Sequence, residues 1–259
     1  MSDDGVVRFR QDGAVGHILF DRPAAYNALT WSMWRELGAV CGRIAADPAV
    51  RVVTLRGAGG KAFVSGTDIA GFQSFTSGKE GVAYEAEMDS YVGAVETLPQ
   101  PTIAIVDGWA VGGGLALSFA CDFRIAATGA RFGSPLAKTI GNCLSARGYQ
   151  RLIQHVGIPM AKRLLLAAEL VPAAELDAHG LLTRLVAPEE IDAAVQELAE
   201  KLVAGAPLTQ RVSKEAIYRI STQSTPDISD LIELIYGSED FAAGVRGFLT
   251  KTPPTWRGR

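Results

Sequence analysis

The 259-residue sequence predicts an α/β protein whose last part is mostly helical. Short strand-like runs in the first half, such as Val50 to Leu55 and Thr102 to Val106, lie between segments with helical spacing of apolar residues. Strands that alternate with helices favour a parallel sheet. After about residue 145 the apolar spacing is helical almost throughout. At about 150 residues per domain, the length indicates one large domain or one domain with an appendage.

The ends of the first elements are marked by particular residues. Val6 to Phe9 and Val15 to Phe20 flank Asp12-Gly13, a pair typical of a hairpin turn. Thr30 precedes a segment with apolar residues at helical spacing, and its hydroxyl is a suitable N-cap. Asp47-Pro48 ends that helix, because proline cannot continue the hydrogen-bond ladder. The sequence therefore predicts two antiparallel strands followed by a helix.

The later elements follow from the same signals. Pro99 and Pro101 separate a helix over 80–98 from a strand over 102–106. A helix begins near Gly113, and a short strand over 123–127 follows it. The remaining predicted elements are helices over 146–156, 159–168, 172–179, 188–205, 207–221 and 228–237, with one short strand over 183–186.

Composition excludes several classes of function. The 25 lysine and arginine residues against 28 acidic residues give a net charge of −3 without a basic stripe, so we expect no nucleic-acid partner. The longest uncharged apolar segment, Gly108 to Cys121, is shorter than the ~20 residues that cross a bilayer, so we expect no membrane partner. Three scattered cysteines and no visible secretory signal indicate the cytoplasm. With three histidines and no CxxC or HExxH, we expect no metal site.

Two glycine-bearing segments lie where predicted strands end. Ala62 to Ile69 contains Gly66, and Asp107 to Leu117 places Gly112 to Gly114 at the start of an apolar helix. Glycine lets a ligand approach the backbone, and the first N–H groups of a helix have no internal partner. Two such groups that converge on one carbonyl oxygen would form an oxyanion hole. The same segments also fit two tight strand-to-helix turns without a ligand, and spacing alone does not decide between these interpretations.

Four motifs, in order along the chain, resemble those of the enoyl-CoA hydratase/isomerase (crotonase) superfamily. The segment Phe20 to Leu29, FDRPAAYNAL, resembles N/D-R-P-x-x-x-N-A-L, and Ala62 to Ile69, AFVSGTDI, resembles A-F-x-x-G-x-D-I. Pro101 to Asp122 is similar to the family's long glycine-rich motif, in which three glycines precede a helix that ends in Cys-Asp. Ser238 to Lys251 resembles the closing S-x-D-F…F-L-x-K. The resemblance covers essentially the whole chain.

The resemblance implies a crotonase-type spiral of ββα units over 1–195 that carries a CoA-thioester site. It also implies a helical C-terminal region over 196–259 for trimerisation and for covering the pocket. The expected partners are an acyl-CoA substrate and identical subunits, in a homotrimer or a dimer of trimers. Coenzyme A enters as part of the substrate, and no tightly bound cofactor is expected.

The resemblance also implies the roles of particular residues. The two oxyanion-hole amides carry over to Thr67 and Gly113. The expected contacts to coenzyme A, mostly through backbone, with Arg22 near the phosphates and Lys251 reaching a neighbouring subunit, are Arg22, Ala24, Ala25, Tyr26, Ala62, Val64, Ser65, Gly66, Asp68 and Lys251. For Arg22 and Lys251 a solvated surface charge is the alternative.

The sequence departs from the family at its two proton-transfer positions. A hydratase that resembles this family uses two glutamates, but the matching positions hold Ala116 and Leu136, neither of which can carry a proton. Glu87, on the predicted helix over 80–98, is the candidate replacement base, and a solvated helical glutamate is the alternative. Asn142 and Cys143 lie in a rearranged turn, where the Cys143 thiol is a further candidate and an inert buried cysteine the alternative.

The expected activity is enolate-stabilising chemistry on an acyl-CoA thioester, with enoyl-CoA hydration or isomerisation as the named reaction. Other reactions of the same kind remain open: decarboxylation, thioester hydrolysis and C–C cleavage. An acyl-CoA-binding subunit without catalysis remains open as well. The missing carboxylates favour these alternatives, whereas the intact oxyanion segments favour retained chemistry.

Overall fold

The computed structural model describes residues 4–223, 227, 229–252 and 254–259. The acidic start of the chain, residues 1–3, and residue 228 of the last predicted helix lie outside that part. The elements of the first half are β1 (Val6–Asp12), β2 (Val15–Asp21), α1 (Trp31–Ala46), β3 (Val52–Gly57), β4 (Ala62–Val64), α2 (Gly78–Glu96), β5 (Thr102–Val106), β6 (Trp109–Val111) and α3 (Gly113–Ala120). Those of the second half are β7 (Phe123–Ala127), β8 (Arg131–Gly133), α4 (Ala146–Leu165), β9 (Leu170–Pro172), α5 (Ala173–Ala178), β10 (Arg184–Val186), α6 (Ile191–Val203), α7 (Pro207–Thr222), α8 (Ser229–Tyr236) and α9 (Glu239–Thr250).

A repeated ββα unit organises the chain. The first strand of each unit, β3, β5 and β7, enters a six-stranded sheet with the order β1-β2-β3-β5-β7-β10. The second strand, β4, β6 and β8, enters a four-stranded sheet with the order β4-β6-β8-β9. Within each sheet the strands of successive units pair in parallel. The predicted α/β class and the ββα spiral are therefore confirmed, and the helices α6 to α9 form the expected C-terminal helical region.

The first hairpin and helix confirm the local predictions. β1 pairs antiparallel with β2, and Asp12 lies opposite Val15 across the Asp12-Gly13 turn. The Thr30 hydroxyl accepts a hydrogen bond from the Met33 amide at 3.3 Å, so Thr30 caps α1 as predicted. The helix buries one apolar face, and its last residue precedes Asp47-Pro48.

The sequence reading missed several elements. The strands of the four-stranded sheet have three residues each, which is too short for a period of two to emerge. Helix α9 is also absent from the predicted elements, although Ser238 to Lys251 matches the closing motif of the family. The helices predicted over 146–156 and 159–168 are two parts of α4, which is kinked where Gly157 takes non-helical angles (φ 69°, ψ 167°) two residues before Pro159.

Two apolar clusters hold the layers together. The larger one joins α1, α2 and α3 to the sheets. The smaller one packs α6 against the six-stranded sheet and includes Ile103, Ile125, Ile191, Val195 and Ala199. The proposed division between 195 and 196 thus falls inside α6, whose buried residues on both sides of that point pack against the same sheet. No helix in the described part of the chain is long and apolar enough to cross a membrane.

Asn27 joins the loop after β2 to the turn between β3 and β4. Its side chain is fully buried, and its Nδ2 donates to the carbonyl oxygens of Ala58 and Ala62, both at 2.9 Å. Its Oδ1 accepts from the Arg22 amide at 3.0 Å. The backbone of Asn27 is left-handed, with φ 58°, a conformation that asparagine tolerates better than most residues. This one side chain therefore satisfies three backbone groups in the interior.

We expect Asn27→Ala to lower the free energy of unfolding by about 3 kcal/mol, because it leaves buried backbone groups unpaired and places alanine at positive φ. Urea denaturation followed by circular dichroism measures this loss. The matched control is Gln11→Ala, which removes an exposed amide that bonds only its own turn and should change stability by less than about 0.5 kcal/mol. Equal stability of the two variants would contradict the role given to Asn27.

Candidate active site

The candidate site lies where the parallel strands of the four-stranded sheet end. The chain leaves β4 through Ser65, Gly66 and Thr67, and it leaves β6 through Gly112 into α3. Because β4 and β6 are parallel neighbours, these two turns meet at the same edge of the sheet. The segment after β8 reaches the same edge, since β8 is parallel to β6. A cavity of about 310 Å³ opens there and is lined by all three segments.

The two glycine turns are in direct contact. Gly66 has φ 125° and Gly112 has φ 55°, values that disfavour any side chain. A Cβ atom at Gly112 would lie 3.6 Å from Gly66 Cα, and one at Gly113 would lie 3.6 Å from Thr67 Oγ1. Among the hydrogen bonds of the described residues, neither the Thr67 amide nor the Gly113 amide donates to an acceptor. Both are therefore available beside the cavity, and the helix dipole of α3 adds positive potential at Gly113.

The Thr67 turn is held from several sides. The Leu29 amide donates to the Gly66 carbonyl at 2.9 Å, and the Asp68 amide donates to the Leu29 carbonyl at 2.8 Å. The Thr67 hydroxyl accepts hydrogen bonds from Trp34 Nε1 at 3.3 Å and from the Tyr84 hydroxyl at 3.2 Å. These contacts restrain the backbone on both sides of the Thr67 amide.

The walls of the cavity are mainly apolar and aromatic. The side chains that form them come from α1, α2, α3, the end of β6 and the segments after β4 and β8: Trp34, Phe72, Tyr84, Met88, Val92, Val111, Ala116, Leu136, Ile140 and Leu144. Ala116 and Leu136 occupy the positions expected for the family's two glutamates, and both line this cavity. The positions therefore face the candidate site but carry no titratable group.

A sequence profile described as enoyl-CoA hydratase/isomerase matches residues 10–259. The chain belongs to the enoyl-CoA hydratase/isomerase family. A short-chain-enoyl-CoA hydratase from Clostridium acetobutylicum is 37% identical over 213 residues, which cover 82% of this chain and 81% of that protein. A crotonyl-CoA hydratase from Syntrophomonas wolfei is 35% identical over 239 residues, covering 90% of this chain and 91% of that protein.

Solved structures share the fold. A protein described as an enoyl-CoA hydratase/carnithine racemase from Magnetospirillum magneticum superimposes with a TM-score of 0.90 and 33% identity, covering 98% of this chain and 96% of that one. A putative enoyl-CoA hydratase/isomerase family protein from Hyphomonas neptunium gives a TM-score of 0.90 at 29% identity, with 98% of both chains covered. This enoyl-CoA hydratase/isomerase family member therefore keeps the family fold over its whole described length.

Among the described residues of this family member, three charged side chains line the cavity. They are Glu85 and Asp89 on α2, and Arg151 on α4. Arg151 is 3% exposed and paired with Glu96, whose Oε2 lies 2.9 Å from Arg151 Nη2. Glu85 is half-buried, and its Oε2 accepts a hydrogen bond from the Ser145 amide at 2.8 Å. Burial raises the pKa of Glu85 above its ordinary value, the Ser145 amide opposes that rise, and the nearby charge of Asp89 adds to it.

Glu87, the base nominated from the sequence, is not among the residues that line the cavity. Its Oε1 accepts a hydrogen bond from the Tyr91 hydroxyl at 2.8 Å. The spacing of Tyr84, Met88 and Tyr91 singled out Glu87, whereas the charged residues of α2 that line the cavity are Glu85 and Asp89. Glu85 lies three residues before Met88 and seven before Val92, both of which are buried.

The residues expected to contact coenzyme A fall into two groups. Ala24, Ala25 and Tyr26 lie on a loop with exposed side chains at Ala24 and Tyr26. The Ser65 amide and hydroxyl donate to the carbonyls of Tyr26 and Ala25, so this loop and the Gly66 to Asp68 turn form one surface. The side chains of Ala62 and Val64 are fully buried, and a backbone contact to coenzyme A at these two positions stays a prediction.

The two basic residues of that set have different positions. Arg22 is only 16% exposed, and its Nη1 lies 2.7 Å from Asp68 Oδ2 and 3.2 Å from the Ala28 carbonyl oxygen. Arg22 therefore braces the Asp68 turn, and its contact with the phosphates of coenzyme A stays a prediction. Lys251 is exposed at the end of α9, where it adopts a left-handed backbone and does not line the cavity.

A larger groove, of about 1020 Å³, lies between the β1–β2 hairpin and α6. Its lining combines apolar side chains, such as Val195 and Ala199 of α6, with polar ones, including Arg56, which pairs with Asp107, and His17, which contacts Thr54. Neither glycine turn reaches it, so it offers no pair of convergent amides. Among the described residues, no three His, Cys, Asp or Glu side chains cluster closely enough to hold a metal ion.

The three cysteines differ in accessibility. Cys143 is exposed, whereas Cys41 and Cys121 are buried. Burial raises the pKa of both buried thiols to about 12. Cys143 lies beside Asn142 and Leu144, which line the cavity, but is not itself part of the lining. The structure thus does not place the Cys143 thiol at the candidate site.

We expect one thiol per chain to react rapidly with a disulfide reagent such as DTNB, and all three after unfolding, because reaction needs an accessible thiolate. Absorbance of the released chromophore counts the reactive thiols. Cys143→Ser should remove the rapid phase, with Cys41→Ser as the control that preserves it. A second rapid thiol in the native protein would contradict the assigned burial.

Proposed function

We propose that this chain is an acyl-CoA enzyme that binds the thioester carbonyl oxygen between the amides of Thr67 and Gly113. The observation that carries the proposal is the contact between two glycine turns that leaves both amides unpaired beside an apolar cavity. Membership of the enoyl-CoA hydratase/isomerase family and the named hydratase relatives support acyl-CoA as the substrate class.

The amide pair acts on the charge that forms during reaction. A thioester carbonyl oxygen is nearly neutral in the substrate and becomes negative in the enolate, so fixed N–H donors stabilise the reacting state more than the ground state. The apolar walls exclude water and strengthen this interaction. Backbone donors are independent of the side chains at Ala116 and Leu136, so this part of the chemistry survives those substitutions.

Coenzyme A would lie across the surface formed by Ala24 to Tyr26 and Ser65 to Asp68. Tyr26 and Ile69, 50% and 57% exposed, offer apolar contact area at this surface. Coenzyme A would arrive as part of the substrate, not as a resident cofactor. Arg22 would position the turn through Asp68, and Lys251 would reach the nucleotide bound by a neighbouring subunit.

A contact between Lys251 and the nucleotide of a neighbouring subunit requires an assembly, and we propose a homotrimer or a dimer of trimers. Exposed apolar side chains on the C-terminal helices support it, with Ile217 68%, Ile220 57%, Ile232 51% and Tyr236 66% exposed in the isolated chain. Such residues are typical of surfaces that another subunit covers. Sedimentation of the purified protein measures the oligomeric state.

A cytoplasmic location stays a prediction.

Enoyl-CoA hydration is the reaction we favour, because two close relatives carry hydratase names. The second candidate is another enolate reaction in the same cavity, such as decarboxylation, thioester hydrolysis or C–C cleavage. The absence of carboxylates at Ala116 and Leu136 is the observation that favours it. Incubation with crotonyl-CoA and with malonyl-type and aromatic acyl-CoA thioesters, followed by mass spectrometry, separates these reactions, and binding without any turnover would indicate a silent subunit.

We expect Gly113→Pro to lower kcat/KM by about 10²–10³-fold, because proline removes one oxyanion donor while fitting the first position of a helix. Steady-state kinetics with the best thioester of the panel measure the effect. Gly113→Ala is the matched control, since it adds a Cβ at the same place, 3.0 Å from Trp34 Cζ2, and keeps the N–H. Equal losses in the two variants would show that crowding, and not the donor, matters.

A further inference from the structure

The cavity contains carboxylates that the family motifs do not specify. Glu85 and Asp89 are one helical turn apart on α2, and both line the same cavity as Thr67, Gly113 and Ala116. We propose that Glu85 is the proton-transfer residue of this enzyme, in place of the carboxylates missing at positions 116 and 136. The proposal rests on the proposed function and names the acid/base group of that same site.

The contacts of Glu85 fit a proton-transfer group. Its Oε2 accepts the Ser145 amide at 2.8 Å, and Ser145 in turn caps α4 by accepting the Gly148 amide at 2.9 Å. The carboxylate is thus fixed at the junction of α2 and α4. Its Oε1 makes no hydrogen bond among the described residues. One oxygen is therefore anchored, and the other is free to bind water or a substrate proton.

The charges around Glu85 suit a group that both accepts and returns a proton. Asp89 faces it from the same helix, Tyr84 lies beside it, and Arg151 lines the cavity from α4 but is paired with Glu96. Burial and the Asp89 charge raise the pKa of Glu85. A general acid or base is most effective when its pKa approaches the working pH.

In the hydration reaction, the free oxygen of Glu85 takes one proton from a water molecule as the water oxygen bonds to Cβ of the enoyl group. The π pair of the enoyl double bond forms a new double bond between Cα and the thioester carbon, and the carbonyl π pair moves to the thioester oxygen, which the Thr67 and Gly113 amides hold as an enolate. Glu85 then returns its proton to Cα, the enolate collapses, and the carboxylate is restored. One water is added across one double bond, and no other reactant is needed.

The test uses the full-length protein in two assays: hydration of crotonyl-CoA, and exchange of the α-protons of butyryl-CoA for deuterium in heavy water. The exchange assay detects proton transfer at Cα even if another reaction is the natural one. We expect Glu85→Gln to lower both rates by about 10²–10⁴-fold with KM nearly unchanged. Glutamine still accepts the Ser145 amide, so the fold and its thermal midpoint should be retained.

Glu87→Gln is the matched control, because Glu87 lies two residues away on the same helix but outside the cavity, and glutamine still accepts from Tyr91. We expect it to keep the wild-type rates. The pH dependence of kcat/KM gives a readout that a structural role would not move. Wild-type activity should fall as Glu85 gains its proton on the acidic side. In Asp89→Asn that fall should shift to lower pH, because the pKa of Glu85 drops when the neighbouring negative charge is removed.

The outcomes separate this proposal from the proposed function. Wild-type rates in Glu85→Gln, or loss of activity in Glu87→Gln equal to that in Glu85→Gln, would overturn the role of Glu85 and leave the oxyanion hole standing. A wild-type protein that binds butyryl-CoA but catalyses neither reaction would overturn it as well. A protein that binds no acyl-CoA thioester in isothermal titration would overturn the proposed function itself.

Discussion

The parallel pairing of β4 with β6 is the constraint on which the site depends. It places the ends of two successive ββα units side by side, so that the Gly66 turn and the Gly112 turn come into backbone contact. Both glycines have positive φ, a backbone conformation that other residues rarely adopt. Thr67 and Gly113 line the cavity because the chain turns there, and the hydrogen bonds from Trp34 and Tyr84 to the Thr67 hydroxyl hold that turn in position.

This arrangement separates charge stabilisation from proton transfer. In the proposed function, backbone N–H groups stabilise the charge, and the strand pairing positions them whatever the nearby side chains are. Protons must be moved by side chains, and any wall of the cavity can supply one. With Ala116 and Leu136 at the positions of the two glutamates, the usual proton carriers are missing, but the backbone of the proposed oxyanion hole is unchanged. Helix α2 borders the same cavity, and its Glu85 is part of the lining. The side chain that transfers the proton can therefore come from a different element than the one that carries it in relatives.

Local signals in the sequence were sufficient to predict those features of the structure that depend only on residues close together in the chain. The hairpin at Asp12-Gly13 and the Thr30 cap were predicted because a turn or a cap needs only a few adjacent residues. The four-stranded sheet was missed because its strands are held by pairing with distant strands. The spacing that singled out Glu87 did not reveal that Glu85 and Asp89 line the cavity, because helical periodicity defines a face only roughly, whereas the edge of the cavity is set by α4 and the segment after β8.

The sequence by itself determined the family, the α/β class, the glycine-bearing motifs that contain Thr67 and Gly113, and the absence of the usual glutamates, since each depends on residue identity at fixed spacing. Only the tertiary structure decided which charges reach the cavity. In the folded chain Arg22 forms an ion pair with Asp68, and Glu85 accepts a hydrogen bond from the Ser145 amide, 60 residues further along the chain. Such contacts depend on how distant elements pack, and no spacing within one element encodes them.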